Sequence, residues 1–97
     1  MTFTLHRGAE RDLGDAARFY RNEAGRAVAA RFIEEFERIA ILLSANPGLG
    51  TPTVGERRWF PFHGFPYSVI YRPVDNGIRV LVVRHQNRDP EHGEARR

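Results

Sequence analysis

Tyr67-Ser68-Val69-Ile70-Tyr71-Arg72, then Asp75-Asn76-Gly77, then Ile78-Arg79-Val80-Leu81-Val82-Val83 is the stretch that decides the fold. Its first segment is rich in β-branched and aromatic residues, which suit a pleated, half-buried surface. Asn76-Gly77 follows, and Asn-Gly between two such segments is the strongest short-range hairpin signal, because the tight turn needs positive φ. The last segment is apolar almost throughout, as a strand covered on both faces must be. Just upstream, Arg57-Arg58-Trp59-Phe60-Pro61-Phe62 reads as another strand, and Pro61 places it towards an edge because proline cannot donate to a ladder. His63-Gly64 marks the turn between them.

Working outward towards the N-terminus, the period changes from two to about 3.6. Val28, Phe32, Phe36, Ile39 and Leu43 form one helical stripe, flanked by Ala29, Ile33 and Ala40. Arg31, Glu34, Glu35, Glu37 and Arg38 occupy its polar side. Pro47 stops this helix and disfavours α geometry at Asn46. Before it, Leu13, Ala17, Tyr20 and Ala24 recur at helical spacing, widened by Ala16 and Phe19. Gly25 separates the two helices at a C-cap position. Thr2 to His6 alternates, with Phe3 and Leu5 on one side, as a short half-buried strand does. The element order is therefore β-α-α-β-β-β, an α+β fold. An αα-hairpin packs on one face of an antiparallel sheet. Nothing else in the chain is left for the other face, which becomes the expected functional surface. The polar tail, 89–97, is expected to be flexible, with Asp89-Pro90 able to start one helical turn.

Ninety-seven residues make one domain, taken as 1–97. No apolar run reaches the roughly 18–20 residues of a membrane span. The first residues lack the layout of a signal peptide. The chain has no cysteine, which excludes disulfides and thiolate metal sites and fits a reducing cytoplasm. All fifteen basic residues are arginine. Residues 1–50 balance seven arginines against seven acids, whereas 57–88 set six arginines against Asp75 alone. That localised positive field suits a nucleic acid or an acidic protein partner. Arginine usage that merely follows genome composition would look the same.

Element order and length, with Asn46-Pro47, Arg57-Arg58-Trp59-Phe60-Pro61, Phe65-Pro66-Tyr67-Ser68-Val69-Ile70-Tyr71-Arg72 and Val83-Arg84-His85-Gln86-Asn87-Arg88-Asp89-Pro90, resemble the RelE/ParE toxin superfamily, and its ParE-like branch in particular. The resemblance spans nearly the whole chain. It implies the toxin of a type II toxin–antitoxin system, of the kind also known as plasmid stabilisation proteins. It implies a cognate antitoxin that wraps the toxin, and operator DNA bound only through that antitoxin. RelE-like members cleave mRNA on the ribosome without a metal; ParE-like members share the fold and poison DNA gyrase. A degenerate, non-toxic member that only binds its antitoxin is the third possibility.

The residues weigh against a nuclease. Metal-free RNA cleavage needs a base, an acid and cations for the phosphate, and arginine supplies only the last. Where the RelE pattern has an Arg after the first Tyr of its strand, this chain has Ser68. Closely spaced lysines of the preceding strand are replaced by Trp59-Phe60-Pro61, with Arg57 and Arg58 nearby. Arg88 matches the Arg after the last strand; the C-terminal Tyr has no match, and His92 is the tail's only candidate. His85, at a strand end, could titrate near neutral pH, or could simply bond to backbone. With a two-residue turn at Asn76-Gly77, Ser68 faces His85 and Arg72 faces Leu81, so that Ser68, Arg72 and His85 share one surface near Arg88. With Asp75-Asn76-Gly77 as a three-residue loop the register slips by one and the grouping breaks. Trp59, Phe60 and Phe62 could stack on bases or fill core and edge; Tyr67 and Tyr71 read as core, their hydroxyls reaching a rim partner. The expected functional surface is Arg57, Arg58, Trp59, Ser68, Arg72, Arg84, His85 and Arg88. The favoured reading has no catalytic residue, and a nuclease would use His85, Arg88 and Arg72. No metal or cofactor is expected, since no histidines stand at ligand spacing.

Overall fold

The computed structural model describes residues 2–97. Strand β1 (Thr2–Leu5) leads into helix α1 (Arg7–Ala24) and helix α2 (Arg26–Ala45), followed by β2 (Thr51–Pro52), β3 (Arg58–Pro61), β4 (Tyr67–Val74) and β5 (Gly77–His85). The predicted α+β order is present, with the two-residue strand β2 added beside β3. His6 starts α1: its Nδ1 accepts from the Gly8 N–H at 2.9 Å, satisfying one of the first-turn donors. Gly25, at φ 93°, turns the chain between the helices.

The sheet runs β1-β5-β4-β3-β2. The sequence predicts an antiparallel sheet, but β1 lies parallel to β5, with Thr2 beside Gly77 and Leu5 beside Val80. That pairing explains Gly77. A side chain there would put its Cβ 1.8 Å from the Thr2 carbonyl oxygen, so the close approach of β1 requires glycine. Gly77 therefore belongs to β5, paired with Val74, and the turn residues are Asp75 and Asn76 rather than Asn76 and Gly77.

The turn shift and a bulge set the β4–β5 register. Arg72 faces Arg79 and Tyr71 faces Val80; beyond the irregularity at Ile70/Tyr71, Ile70 faces Val82, Ser68 faces Arg84 and Tyr67 faces His85. A bulge leaves one residue unpaired. Here it is Leu81, which joins Val82, Ile70 and Trp59 in a cluster on the face away from the helices.

On the helix side, Ala9, Ala16, Phe32, Phe36, Ile39, Ala40 and Leu43 meet Val69, Tyr71, Ile78, Val80 and Val83 in the main core. The α2 stripe lies as its spacing predicts. The α1 stripe packs through Leu13, Ala16 and Tyr20 as its spacing predicts, with Ala9 added, whereas Phe19 is 55% exposed. Aromatic rings fill one end of the core. Phe32 lies 5.0 Å from both Phe62 and Tyr67, and 5.2 Å from Tyr20 and Phe65, between ring centroids. Phe60 packs against the same core, so two of the three aromatics around Pro61 serve packing. Tyr71 reaches its rim partners: its hydroxyl donates to the Pro47 carbonyl and accepts from the Gly50 N–H, both at 2.8 Å.

The face opposite the helices is covered, contrary to expectation. Residues 89–97 fold back across it as a series of turns. Gly93, at φ 78°, seats directly on the sheet, where a Cβ would lie 2.5 Å from Val82 Cγ2.

Candidate functional site

The arginines of the last three strands divide into those that hold the fold and those that do not. Arg57, expected on the working surface, is a clamp on the tail: its guanidinium donates to the carbonyls of Gly93, Glu94 and Arg96. Five fixed N–H donors let one arginine gather several carbonyls. Arg58 does the same for the connection after α2, donating to Gly48 and Gly50 carbonyls at 3.1 and 2.7 Å. Arg84 donates to the Pro90 carbonyl at 3.0 Å. Arg72 makes no ion pair with Asp75; it is half-buried and lines the groove described next.

That groove, about 800 Å³, lies on the sheet face away from the helices. Trp59, Ile70, Leu81 and Val82 form its apolar floor. Arg72, Arg84, the β2–β3 connection and the tail complete its lining. Ser68 belongs to this face too, nearly buried and paired across from Arg84. An apolar floor with an arginine rim suits apolar and acidic side chains together.

His85 is elsewhere. Its cross-strand partner is Tyr67, and the two rings meet edge to face at 5.1 Å on the helix side. Its Nδ1 accepts from the Asn87 N–H at 3.0 Å, the backbone role considered above. His85 and Arg88 share a smaller cavity of about 420 Å³ with Arg11, Phe19 and Tyr67. The grouping of Ser68, Arg72 and His85 on one surface is thus broken: Ser68 and Arg72 belong to one sheet face and His85 to the other. An acid, a base and a phosphate-binding cation drawn from His85, Arg88 and Arg72 do not converge as in-line RNA cleavage requires.

Three residues outside the expected set form the most connected polar cluster. The Asp12 carboxylate, 10% exposed, accepts from Arg96 Nη1 at 2.6 Å and from the Val83 N–H at 3.1 Å, and pairs with His92 Nε2 at 2.8 Å. Arg96 also donates to the Leu81 carbonyl at 3.0 Å, and His92 Nδ1 lies 3.2 Å from Arg88. Burial pushes the Asp12 carboxyl up, but the bonds from Arg96, His92 and Val83 outweigh it and hold the group below its ordinary value. In the sequence Asp12 is one of several charged residues on a helix surface, and its partners lie 71 or more residues away. Among the described residues no three His, Cys, Asp or Glu side chains form a metal cluster. No helix among them is long and apolar enough to cross a membrane.

The family model described as "ParE toxin of type II toxin-antitoxin system, parDE" matches residues 3–90. The chain belongs to the ParE toxin family. Among curated relatives it is similar to Toxin ParE2 of Mycobacterium tuberculosis, in strains CDC 1551 / Oshkosh and ATCC 25618 / H37Rv. Identity to each is 28% over 91 residues, covering 94% of this chain and 87% of the relative. Among solved structures it resembles a chain of the chromosomal ParDE TA system from P. aeruginosa. The TM-score is 0.76 at 24% identity, over 88% of this chain and 95% of that one. The strand, the helical hairpin and the sheet are therefore the ParE fold.

Proposed function

We propose that this ParE-family chain is a growth-arresting toxin that binds and inhibits DNA gyrase, and that a cognate antitoxin neutralises it. The observation that carries the reading is the separation of the nuclease candidates. Arg72 and Ser68 lie on the groove face, and His85 and Arg88 line the cavity on the helix side. A chain whose candidates His85, Arg88 and Arg72 do not converge on one surface can still act by occupying a partner. Family membership supports the toxin class, although a fold alone does not carry a target.

The working surface on this reading is the arginine rim of the groove, with Arg72 and Arg84 beside Trp59. The antitoxin brings acidic and apolar side chains to the positive segment 57–88, as a chain that folds on binding can do. Both gyrase and antitoxin are met in the cytoplasm. The test is purified protein incubated with gyrase and plasmid DNA. Accumulation of cleaved gyrase–DNA complexes, suppressed by the product of the neighbouring reading frame, supports the proposal. Cutting of ribosome-bound mRNA without effect on gyrase overturns it.

A further inference from the structure

The tail that covers the groove floor is held in an unusual way. From Asp89 to Arg97 it offers no apolar side chain larger than those of Pro90 and Ala95. Burial of apolar side chains, the usual anchor of a docked segment, is nearly absent. Polar grips replace it: the Arg57 clamp, the Arg84 bond to the Pro90 carbonyl, the Arg79 Nε bond to the Arg97 carbonyl at 3.0 Å, and Arg96 on Asp12. Arg96 lies flat on α1, where a Cβ on Gly8 would stand 2.4 Å from its Cζ.

We propose that residues 89–97 are a strap latched over the groove, that Asp12 is its catch, and that the floor of Trp59, Ile70, Leu81 and Val82 opens fully to solvent only when the catch releases. The physical reason is the mismatch between what the strap covers and how it is held. It shields a strongly apolar floor, yet it is held there mainly by polar bonds. Segments with few apolar contacts open locally at low cost while the core stays folded. Asp12 is the natural catch because its one carboxylate joins α1 to both β5 and the strap, through Arg96, His92 and the Val83 N–H. Arg57 holds only carbonyls, whose bonds are weaker than those between charged groups.

The groups that face Asp12 make the catch sensitive to acid. Arg96 and His92 approach from the strap, and His85 and Arg88 rim the same cavity at the end of β5. Arg11 and Asp15 flank it on α1, and His6 feels its charge from the residue ahead of the helix. Protonating the carboxylate removes the acceptor that Arg96 and His92 share. The arginines around it then repel without a counter-charge, and the strap loosens as pH falls.

The full chain carries its own probes. Trp59 is the only tryptophan, and the amides of His92, Glu94 and Arg96 are bonded within the strap's turns. Amide hydrogen exchange and acrylamide quenching of Trp59 are measured at neutral pH for the wild type, Asp12→Asn and Arg96→Gln. Arg96→Gln acts from the strap and leaves α1 intact, so it reads the catch even if Asp12→Asn fails to fold. The expected result is exchange of the three strap amides faster by about ten-fold or more, the worth of a charge-assisted bond. Trp59 quenching rises with it, while the core amides of Val69, Tyr71 and Val80 keep their protection. Strap amides that do not change, or strap and core amides that accelerate together, overturn the proposal.

Discussion

Removing one oxygen from Tyr71 tests how the connection after α2 is fixed to the sheet. The side chain is fully buried, and its hydroxyl bridges two backbone groups at 2.8 Å each, accepting from Gly50 N–H and donating to the Pro47 carbonyl. In Tyr71→Phe the Gly50 N–H stays buried with its partner gone, a loss of about 1–3 kcal/mol. Pro47 is half-exposed, so water can replace the lost donor at its carbonyl at little cost. The ring keeps its packing. The expected destabilisation is about 2 kcal/mol, or roughly 8–16 °C in melting temperature for a domain of this size. The urea midpoint should fall with an unchanged slope, since the folded surface is the same. Thermal and urea unfolding followed by far-UV circular dichroism give both numbers. A loss below about 0.5 kcal/mol, the level of an ordinary surface substitution, would show that the bridge does not fix this connection.

Phe32→Ala removes the ring on which Tyr20, Phe62, Phe65 and Tyr67 converge. A cost of about 3–5 kcal/mol, out of a total of about 5–15, is expected to leave much of the variant unfolded at 37 °C by circular dichroism. Acid should destabilise the protein through Asp12 and Glu35. Asp12 is held low against its own burial by Arg96, His92 and Val83 N–H; Glu35 is held low first by its bond from Arg38, then by His63 N–H. Both folded-state values lie below the ordinary ones of 3.8 and 4.5. Their contribution is therefore present above about pH 4.5 and is lost as pH falls through the depressed values. Urea titrations at neutral pH and at about pH 3 should show this slope, and Asp12→Asn should flatten it. Arg72→Glu should relieve growth arrest and His85→Ala should leave it intact, both read from colony counts after induced expression.

What the sequence reveals and what it hides follow one physical line. Helix α2 is legible because Phe32, Phe36, Ile39 and Leu43 lie on one face, and a stripe of that width has to be buried. Strands β4 and β5 are legible because Val69 to Tyr71 and Ile78 to Val83 leave few polar positions. The register is not, because Gly77 answers to β1 rather than to the turn. Thr2 lies against it from the far end of the chain, and the pattern of an isolated hairpin does not contain that contact. The bulge that turns Leu81 towards the groove is equally silent. Phe19 looks like part of the α1 stripe yet is exposed, since Ala9 and Ala16 bring the helix close on a neighbouring line.

At the candidate site the difference is larger. Arg57, Arg58 and Arg84 look like free cations in a positive segment, whereas each spends its donors on backbone carbonyls. A tail of polar residues reads as flexible when its partners are carbonyl-seeking guanidiniums and a carboxylate more than seventy positions away. Arg72 and Ser68 share one face as the hairpin pattern predicts, and His85 lies on the other, because a one-residue slip moves every side chain to the opposite face.

The most direct measurement sets the two family activities side by side. Purified protein is titrated into a gyrase supercoiling reaction and into a translating ribosome–mRNA mixture, with the wild type, Arg72→Glu and His85→Ala compared. The expected result is loss of supercoiling with trapped, cleaved DNA, abolished by Arg72→Glu and unaffected by His85→Ala, with the mRNA intact. Ribosome-dependent mRNA cleavage that disappears in His85→Ala, with supercoiling untouched, would contradict it.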